Sequence, residues 1–206
     1  MTRIIKLLIC IAGGYLVGSL NPAALFSKLK KTDLRSNGTG NLGATNTMLV
    51  LGKKAGALVM LFDIGKAAIC VTLANMIFKD IYIAGLITGC FTVIGHIFPF
   101  YMKFKGGKGF GPFAGMILAF DPLIFLILLV VCVALMILCN YSVGLTWSAA
   151  VLFPIFSTIK THDPVILILT FSISCLIMSK HFENLKKAIK GEDVKVRSTI
   201  KKLFSK

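Results

Sequence analysis

The chain has 206 residues, of which 56% are hydrophobic and 15% charged, and this balance excludes an ordinary soluble domain and favours an integral membrane protein. Its net charge of +15 is concentrated in clusters between apolar runs, which favours positive-inside topology, anionic lipid or an anionic substrate over nucleic acid. The six cysteines form no C-x-x-C pair and lie in apolar runs or at the end of one, so the sequence indicates buried thiols, with no disulfide and no metal site.

Seven apolar segments are the predicted membrane elements: 4–25, 55–78, 81–99, 109–120, 123–139, 145–159 and 164–180. A helix needs about 20 residues to cross a typical hydrocarbon core, and the fourth segment is clearly shorter. No small-x-small cleavage site follows the first segment, so it is interpreted as a retained helix. The sequence predicts an all-α integral membrane protein of about seven transmembrane helices, with cytoplasmic glycine-rich loops and a single domain over residues 1–206.

Four basic clusters set the predicted topology: 28–35, 53–54, 103–108 and 180–206. If all four face the cytoplasm, the stretch between any two clusters crosses the membrane an even number of times, and residues 36–52 do not cross. This places the N-terminus outside and the C-terminus in the cytoplasm of a multi-pass protein of the inner (plasma) membrane, although Arg3 and Lys6 argue against it. Residues 181–206 are predicted to form a basic cytoplasmic tail with a short amphipathic helix on the lipid surface.

A polar segment at residues 33–46, the first polar loop, is rich in glycine, asparagine and hydroxyl residues. Such residues dominate flexible turns, and an ordinary loop is one interpretation. A second unusual loop lies on the same predicted face, however, and two such loops indicate a shared pocket. The candidate ligands in the first polar loop are Arg35, Thr39, Gly40, Asn41, Gly43 and Asn46.

The second loop, at residues 103–109, reads Lys-Phe-Lys-Gly-Gly-Lys-Gly and is named the glycine–lysine loop. Glycine lets the backbone approach a ligand closely, and successive N–H groups with lysine ammoniums make an anion site. A glycine, and not serine or threonine, follows the last lysine, so the loop is not a P-loop. Its candidate ligands are Lys105, Gly106, Gly107, Lys108 and Gly109.

Three further side chains are polar or charged inside apolar segments. Asp63 and Lys66 lie three residues apart, which puts them on one helix face where they can pair. Charges at membrane depth are costly and usually face the bundle interior, so a structural ion pair and the edge of a site are equally open. His96 lies near the end of its segment, where a lone histidine is more often a packing residue than a catalyst.

The start of the predicted tail carries His181 and Asn184, with Glu183 beside them. The spacing lets His181 and Asn184 project from one helix face toward a ligand, although this pattern alone is not specific. The sequence contains no convincing Ser-His-Asp set, no cysteine nucleophile beside a base and no metal-ligand spacing.

Taken together and in this order, the motifs resemble the bacterial acyl-phosphate-dependent glycerol-3-phosphate acyltransferases. The resemblance spans nearly the whole chain, and several motifs in register are more specific than any one alone. The matching residues are Gly18-Ser19-Leu20-Asn21-Pro22, Asp33-Leu34-Arg35, Gly38 to Asn46, Leu51-Gly52, Asp63 with Gly65-Lys66, Gly95-His96 with Phe98-Pro99, the glycine–lysine loop, His181-Phe182-Glu183-Asn184 and Gly191-Glu192.

The resemblance implies a seven-helix enzyme that moves an acyl group from acyl phosphate to the first hydroxyl of glycerol 3-phosphate, giving lysophosphatidate and phosphate. It implies no cofactor, and a donor that is neither acyl-CoA nor acyl carrier protein. Lys108 and the N–H groups of the loop glycines would hold a phosphate, and His181 and Asn184 would orient glycerol 3-phosphate. The resemblance also implies further substrate-binding residues: Ser19, Asn21, Arg35, Asp63, Lys66, His96 and Glu183.

Some positions depart from the family's pattern. Basic residues are usual at three positions that carry none here: Leu49, Asn140 and Phe182. Thr39 replaces the usual serine and keeps the hydroxyl, Gly111-Pro112 replaces Ala-Thr, and Val143 replaces a serine. Losing such contacts weakens anion binding, because a hydrogen bond to a charged group is worth about 1.5–3 kcal/mol. The departures indicate a divergent paralogue with altered substrate or reduced activity.

Two alternatives stay open beside the acyltransferase. A transporter or binding protein for a small organic phosphate fits seven crossings, although the candidate loops share one predicted face and no inverted repeat is visible. An inactive homologue that binds only lipid or phosphate fits the departures. The expected partners are the two substrates and the lipid bilayer, and not nucleic acid.

Overall fold

The structure is a computed structural model, and it describes residues 1–193 and 195–198. These residues are mostly helical. The helices are α1 Arg3–Ser19, α2 Pro22–Leu29, α3 Ala44–Leu51, α4 Lys53–Ile77, α5 Ala84–Ile97, α6 Phe110–Phe120, α7 Pro122–Cys139, α8 Val143–Thr161 and α9 Pro164–Ile189, with a 3-10 turn at Phe100–Met102.

Six helical stretches in the described part of the chain are long and apolar enough to cross a membrane: Arg3–Leu29, Lys53–Ile77, Ala84–Met102, Pro122–Cys139, Val143–Thr161 and Pro164–Ile189. The prediction of an all-α membrane protein is confirmed, and each predicted segment forms a helix. The exception in length is α6, because its 11 residues extend about 16 Å against about 30 Å of hydrocarbon. The described residues therefore contain six long helices, where the sequence predicted about seven crossings.

The first membrane stretch contains a break between α1 and α2, at Leu20 and Asn21. Pro22 has no N–H group and cannot continue the hydrogen-bond ladder of α1, but it suits the first turn of a new helix. Asn21 caps α2, because its Oδ1 accepts a hydrogen bond from the N–H of Ala24 at 2.9 Å. The break leaves carbonyl oxygens at the end of α1 that need donors from elsewhere.

The chain divides into two compact units, Met1–Asp121 and Pro122–Lys206. In the first unit, α1 packs along α5, and α4 packs against α5 and α6. Glycine allows α1 to approach α5 closely: a Cβ added at Gly14 would lie 2.4 Å from the carbonyl oxygen of Thr88. Small residues at a crossing are a usual way for membrane helices to pack, since apolar side chains gain little there by leaving lipid.

The second unit contains α7, α8 and α9. The helices α8 and α9 form a hairpin, in which the hydroxyls of Ser157 and Thr170 lie 3.3 Å apart. Asp163 fixes the start of α9, because its Oδ1 accepts two N–H hydrogen bonds from the first turn. The last described residues follow the C-terminal end of α9.

The predicted tail does not begin a new element at residue 181, because α9 continues without interruption to Ile189. The helix ends just before Gly191, whose φ of +75° favours glycine. His181 and its neighbours therefore belong to a long helix and not to a separate surface helix. Residues 194 and 199–206 of the predicted tail lie outside the described residues.

Candidate functional site

Three ionisable side chains meet inside the first unit and form the buried ion cluster: Asp63 and Lys66 on α4, and His96 on α5. Their exposed fractions are 4%, 6% and 2%, respectively. The Nζ of Lys66 lies 2.8 Å from Oδ1 of Asp63, and Nδ1 of His96 lies 3.3 Å from that oxygen and 3.1 Å from Nζ. The ion pair that the sequence left open is therefore present, and the histidine joins it.

Lys66 also holds the break between α1 and α2. Its Nζ donates to the carbonyl oxygens of Gly18 at 3.0 Å and Leu20 at 2.7 Å. Within the break, Asn21 donates from Nδ2 to the carbonyl oxygen of Leu42 at 3.3 Å, in the first polar loop. The ion cluster, the break and the first polar loop are thus joined by consecutive hydrogen bonds.

Two tyrosines that sequence reasoning missed brace the same region. The hydroxyl of Tyr101 donates to the carbonyl oxygen of Ser19 at 2.7 Å, and that of Tyr15 donates to the carbonyl oxygen of Phe98 at 2.8 Å. Ser19 is buried, and its own hydroxyl donates to the carbonyl oxygen of Tyr15 at 2.8 Å. A signal was available, because a tyrosine among apolar residues needs a partner for its hydroxyl.

The glycine–lysine loop folds back onto the C-terminal end of α5. The N–H of Gly106 donates to the carbonyl oxygen of Ile97 at 2.9 Å. The N–H of Gly107 donates to the carbonyl oxygen of His96 at 3.1 Å. These two N–H groups are used within the protein, so they are not the phosphate donors expected from the sequence. Gly109, at φ +85°, is the N-cap of α6, whose first-turn N–H groups have no acceptor within the helix.

The side chain of Asn46 holds the first polar loop together from the inside. Its Nδ2 donates to the carbonyl oxygens of Leu34 at 2.7 Å and Asn37 at 3.1 Å. Its Oδ1 accepts a hydrogen bond from the N–H of Thr39 at 2.6 Å. Both amide hydrogens of this buried residue are used, so Asn46 shapes the loop, and its predicted contact with substrate stays a prediction.

Asp33 orders the start of the first polar loop. Its carboxylate accepts hydrogen bonds from the N–H of Arg35 and the hydroxyl of Ser36, both at 2.9 Å. These bonds favour the charged form and hold the pKa of Asp33 below its usual range. An ionised Asp33 therefore fixes the backbone from which the Arg35 side chain extends.

The two loops touch each other at two points. The guanidinium of Arg35 donates to the carbonyl oxygen of Lys105. Gly107 lies between the ring of His96 and the carbonyl oxygen of Leu42: an added Cβ would lie 2.2 Å from Nε2 and 2.8 Å from that oxygen. A side chain at position 107 does not fit this geometry, so glycine is needed there for close approach.

The other predicted ligands of the two loops differ in exposure. Thr39 is exposed, whereas Asn41 and Lys108 are half-buried. Gly40 has φ +71°, which favours glycine, and Gly43 is the N-cap of α3. The first unit thus gathers both polar loops, the α1–α2 break and the buried ion cluster into one connected region.

The remaining predicted residues lie on α9, in the second unit. His181 is buried, and its Nδ1 lies 2.9 Å from the carbonyl oxygen of Ile177, one turn earlier. Asn184 follows three residues later and is half-buried, so the two share a helix face. Glu183 pairs with Lys186 at 2.9 Å on the exposed side.

Two of the positions without the family's basic residue have a cation nearby in the second unit. The Nζ of Lys186 lies 4.8 Å from the ring centre of Phe182. Asn140, at φ +65°, accepts a hydrogen bond at Oδ1 from the N–H of Arg197 at 2.8 Å. The Nε of Arg197 donates to the carbonyl oxygen of Ile137 at 3.1 Å and so caps the end of α7. A cation contributed from another position therefore accompanies these two departures, at Phe182 and Asn140.

Known proteins are similar in sequence to this chain over nearly its whole length. A family model described as Glycerol-3-phosphate acyltransferase matches residues 8–191. The glycerol-3-phosphate acyltransferase of Macrococcus caseolyticus (strain JCSC5402) is 38% identical over 194 residues, which cover 94% of this chain and 97% of that protein. That of Bacillus subtilis (strain 168) is 34% identical over 195 residues, which cover 94% and 98%.

Solved structures share the fold as well. The crystal structure of PlsY (YgiH), an integral membrane glycerol 3-phosphate acyltransferase, in its glycerol 3-phosphate form matches with a TM-score of 0.87 at 31% identity, over 96% of this chain and 98% of that one. The lysophosphatidic acid form of PlsY matches with a TM-score of 0.82 at 30% identity, over 92% and 94%. The resemblance carried by the loops is confirmed, and the chain belongs to the glycerol-3-phosphate acyltransferase family.

Proposed function

We propose that the protein moves a fatty acyl group from acyl phosphate to the sn-1 hydroxyl of glycerol 3-phosphate, giving lysophosphatidate and phosphate, as the first acylation of phospholipid synthesis. The observation that supports this most is the contact of the two polar loops around Gly107, in a chain that matches the family over residues 8–191. The solved relatives are described in a glycerol 3-phosphate form and a lysophosphatidic acid form, which correspond to the acceptor and the product.

This reaction needs positioning more than it needs a protein nucleophile. The sn-1 hydroxyl oxygen attacks the acyl carbonyl carbon, an ester C–O bond forms, and the bond between that carbon and the phosphate oxygen breaks. The hydroxyl proton leaves with the phosphate, so atoms and charge balance without an acyl-enzyme. Groups that hold two anions in place and stabilise the developing charge then supply the rate.

The roles that we assign follow from charge and position. Lys108 holds a phosphate at the glycine–lysine loop, beside the N-terminal end of α6, where the helix dipole favours an anion. Thr39 in the first polar loop donates a hydrogen bond to the same anion, and His181 and Asn184 orient glycerol 3-phosphate. The other residues of the proposed site line it or hold its shape: Ser19, Asn21, Arg35, Gly40, Asn41, Gly43, Asn46, Asp63, Lys66, His96, Lys105, Gly106, Gly107 and Glu183.

We also propose that residues 1–206 act as one domain of the inner (plasma) membrane, with the N-terminus outside and the segment 181–206 in the cytoplasm. The four basic clusters support this orientation. Six long helices alone would return the chain to the side on which it started. The orientation therefore requires α6 to complete the seventh crossing with help from the residues that flank it.

The direct test measures labelled lysophosphatidate formed from acyl phosphate and labelled glycerol 3-phosphate by the purified protein in lipid nanodiscs. We expect the wild-type protein to form product and Lys108→Ala to lose at least about 100-fold in kcat/KM, the usual cost of removing one preorganised donor from an active site. Lys79→Ala is the matched control, because Lys79 is an exposed lysine in the turn after α4, and this variant should keep the wild-type rate.

Other results would favour the other functions. If the wild-type protein forms no product with any acyl donor, the enzyme proposal is wrong. Uptake of labelled glycerol 3-phosphate into proteoliposomes would then identify a transporter. Saturable phosphate or lipid binding without turnover or uptake would identify an inactive homologue.

A further inference from the structure

We propose that Asp63, Lys66 and His96 are positioning residues that hold the glycine–lysine loop and the α1–α2 break in register, and not ligands of the substrate. This inference rests on the proposed function, because the loop that they would position is the one assigned to phosphate. It replaces the substrate-binding role that the family resemblance implied for all three residues.

Lys66 has no N–H left for a ligand. An ammonium group carries three hydrogens and no acceptor. Its Nζ donates to the carbonyl oxygens of Gly18 at 3.0 Å and Leu20 at 2.7 Å, and it faces the ion-pair partner Asp63 Oδ1 at 2.8 Å and Nδ1 of His96 at 3.1 Å. A substrate phosphate would have to displace one of these partners from a side chain that is 6% exposed.

His96 contacts the same ion pair through one of its ring nitrogens. Its Nδ1 lies 3.1 Å from Lys66 Nζ and 3.3 Å from Asp63 Oδ1. Nδ1 therefore contacts both members of the ion pair and is occupied within the protein. The other ring nitrogen, Nε2, faces Gly107, where an added Cβ would lie 2.2 Å away.

The ion pair in the cluster is made by protein groups alone. The carboxylate of Asp63 and the ammonium of Lys66 carry opposite charges and lie 2.8 Å apart. A buried charge is costly unless it is paired, and here Asp63 pairs with Lys66, whose ammonium also donates to two backbone carbonyl oxygens. The cluster therefore does not need a substrate anion to complete it.

The cluster reaches the glycine–lysine loop through His96. The ring of His96 contacts Asp63 and Lys66, and the backbone carbonyl oxygen of His96 accepts the N–H of Gly107 at 3.1 Å. Gly106 is bonded in the same way to Ile97, the last residue of α5, at 2.9 Å. The end of α5 and the loop thus move together, and Lys108 follows directly in the chain.

The cluster reaches the first polar loop through Lys66. Its Nζ fixes the carbonyl oxygens of the break, and Asn21 of the break donates to the carbonyl oxygen of Leu42 at 3.3 Å. That same oxygen faces Gly107. The two routes from one ion cluster therefore converge on the point where the loops touch.

Two substitutions at position 96 separate positioning from contact with substrate. His96→Asn keeps an amide group near the position of Nδ1, facing Asp63, and removes the atom at Nε2. His96→Leu has a similar size and removes both. Each is measured for lysophosphatidate formation between pH 6 and 9, for its melting temperature, and for amide hydrogen exchange over residues 103–109.

We expect His96→Asn to keep at least about one third of the wild-type kcat/KM with an unchanged pH profile, and His96→Leu to lose at least about 30-fold. Hydrogen exchange over residues 103–109 should match the wild-type protein in the first variant and accelerate in the second. If His96→Asn is as inactive as His96→Leu, or loses a limb of the pH profile, Nε2 acts on substrate and the inference is wrong.

A double variant keeps the test decisive if His96→Leu does not fold. Asp63→Asn with Lys66→Met removes both charges together, so no lone charge stays buried. We expect it to melt close to the wild-type protein, yet to exchange faster over residues 103–109 and to lose activity. Wild-type exchange in this folded variant would contradict positioning. An inactive wild-type protein would instead refute the proposed function, and the exchange data would still decide whether the cluster holds the loop.

Discussion

Gly107 is the residue at which the two polar loops constrain each other most tightly. We predict that Gly107→Ala lowers kcat/KM at least about tenfold, because its Cβ would lie 2.2 Å from His96 Nε2 and 2.8 Å from the carbonyl oxygen of Leu42, and one loop has to shift. Gly65→Ala is the control, because a Cβ at Gly65 meets no atom within 4 Å. Equal rates for the two variants in the lysophosphatidate assay would show that the contact at Gly107 does not matter.

Sequence reasoning at the scale of single residues succeeded where spacing alone decides the geometry. Asp63 and Lys66 are three apart on a helix, so their pairing was foreseeable. Sequence reasoning did not predict which carbonyl group accepts a hydrogen bond when several acceptors are available to one N–H donor. The N–H groups of Gly106 and Gly107 bond to the end of α5, because these carbonyl groups are close only in the folded chain.

At the scale of elements, the packing of α1 along α5 depends on which face of α1 carries its glycines. Gly13 and Gly14 are neighbours, but a Cβ at Gly14 would lie 2.4 Å from the carbonyl oxygen of Thr88, whereas one at Gly13 meets nothing within 4 Å. We predict that Gly14→Ala lowers the free energy of unfolding by about 1–3 kcal/mol through overpacking. Gly13→Ala should be neutral or stabilising by up to about 1 kcal/mol, because alanine is the better helix former.

Thermal unfolding in one detergent, followed for both variants, checks this prediction. A lower melting temperature for Gly14→Ala and not for Gly13→Ala is the expected pattern. Similar melting temperatures for both would mean that α1 and α5 are not in close contact at this crossing.

The helices themselves were predictable from the length of the apolar segments and from the polar residues that separate them. Proline and asparagine mark the break after α1, and a capping aspartate marks the start of α9. The extension of α9 past residue 181 was not foreseen, since a run of charged residues there suits either a helix or a surface tail. No helix-breaking residue occurs before Gly191, and the helix therefore continues to Ile189.

At the scale of the whole molecule, orientation in the membrane is the proposal with the plainest test. In a protein whose native cysteines are replaced by alanine, Phe104→Cys probes the glycine–lysine loop and Lys79→Cys probes the turn after α4. Both positions are exposed, with Phe104 60% accessible, whereas Gly107 is buried and unsuitable as a probe. We predict that a membrane-impermeant maleimide added to intact cells labels position 79 and leaves position 104 unlabelled.

Both cysteines should react after the cells are permeabilised, which controls for reactivity. The reverse pattern would place the glycine–lysine loop outside and contradict the proposed topology. Basic clusters predict orientation because translocating lysine and arginine is unfavourable, but the same clusters do not reveal how an 11-residue helix contributes to a crossing. Family membership was the best-supported prediction at this scale, because several motifs in register specify more than any single loop.

The hold of Lys66 on the α1–α2 break has one more consequence. Where a helix is interrupted, the freed carbonyl groups usually recruit solvent, and in this protein one lysine takes the place of that water. The region around the break is thereby able to remain dry. Acyl phosphate is a mixed anhydride that water hydrolyses. Exclusion of water from the region next to the two loops would therefore protect the donor until the glycerol hydroxyl reacts. Lys66, which we propose to be a positioning residue, would then favour acyl transfer over hydrolysis of the donor.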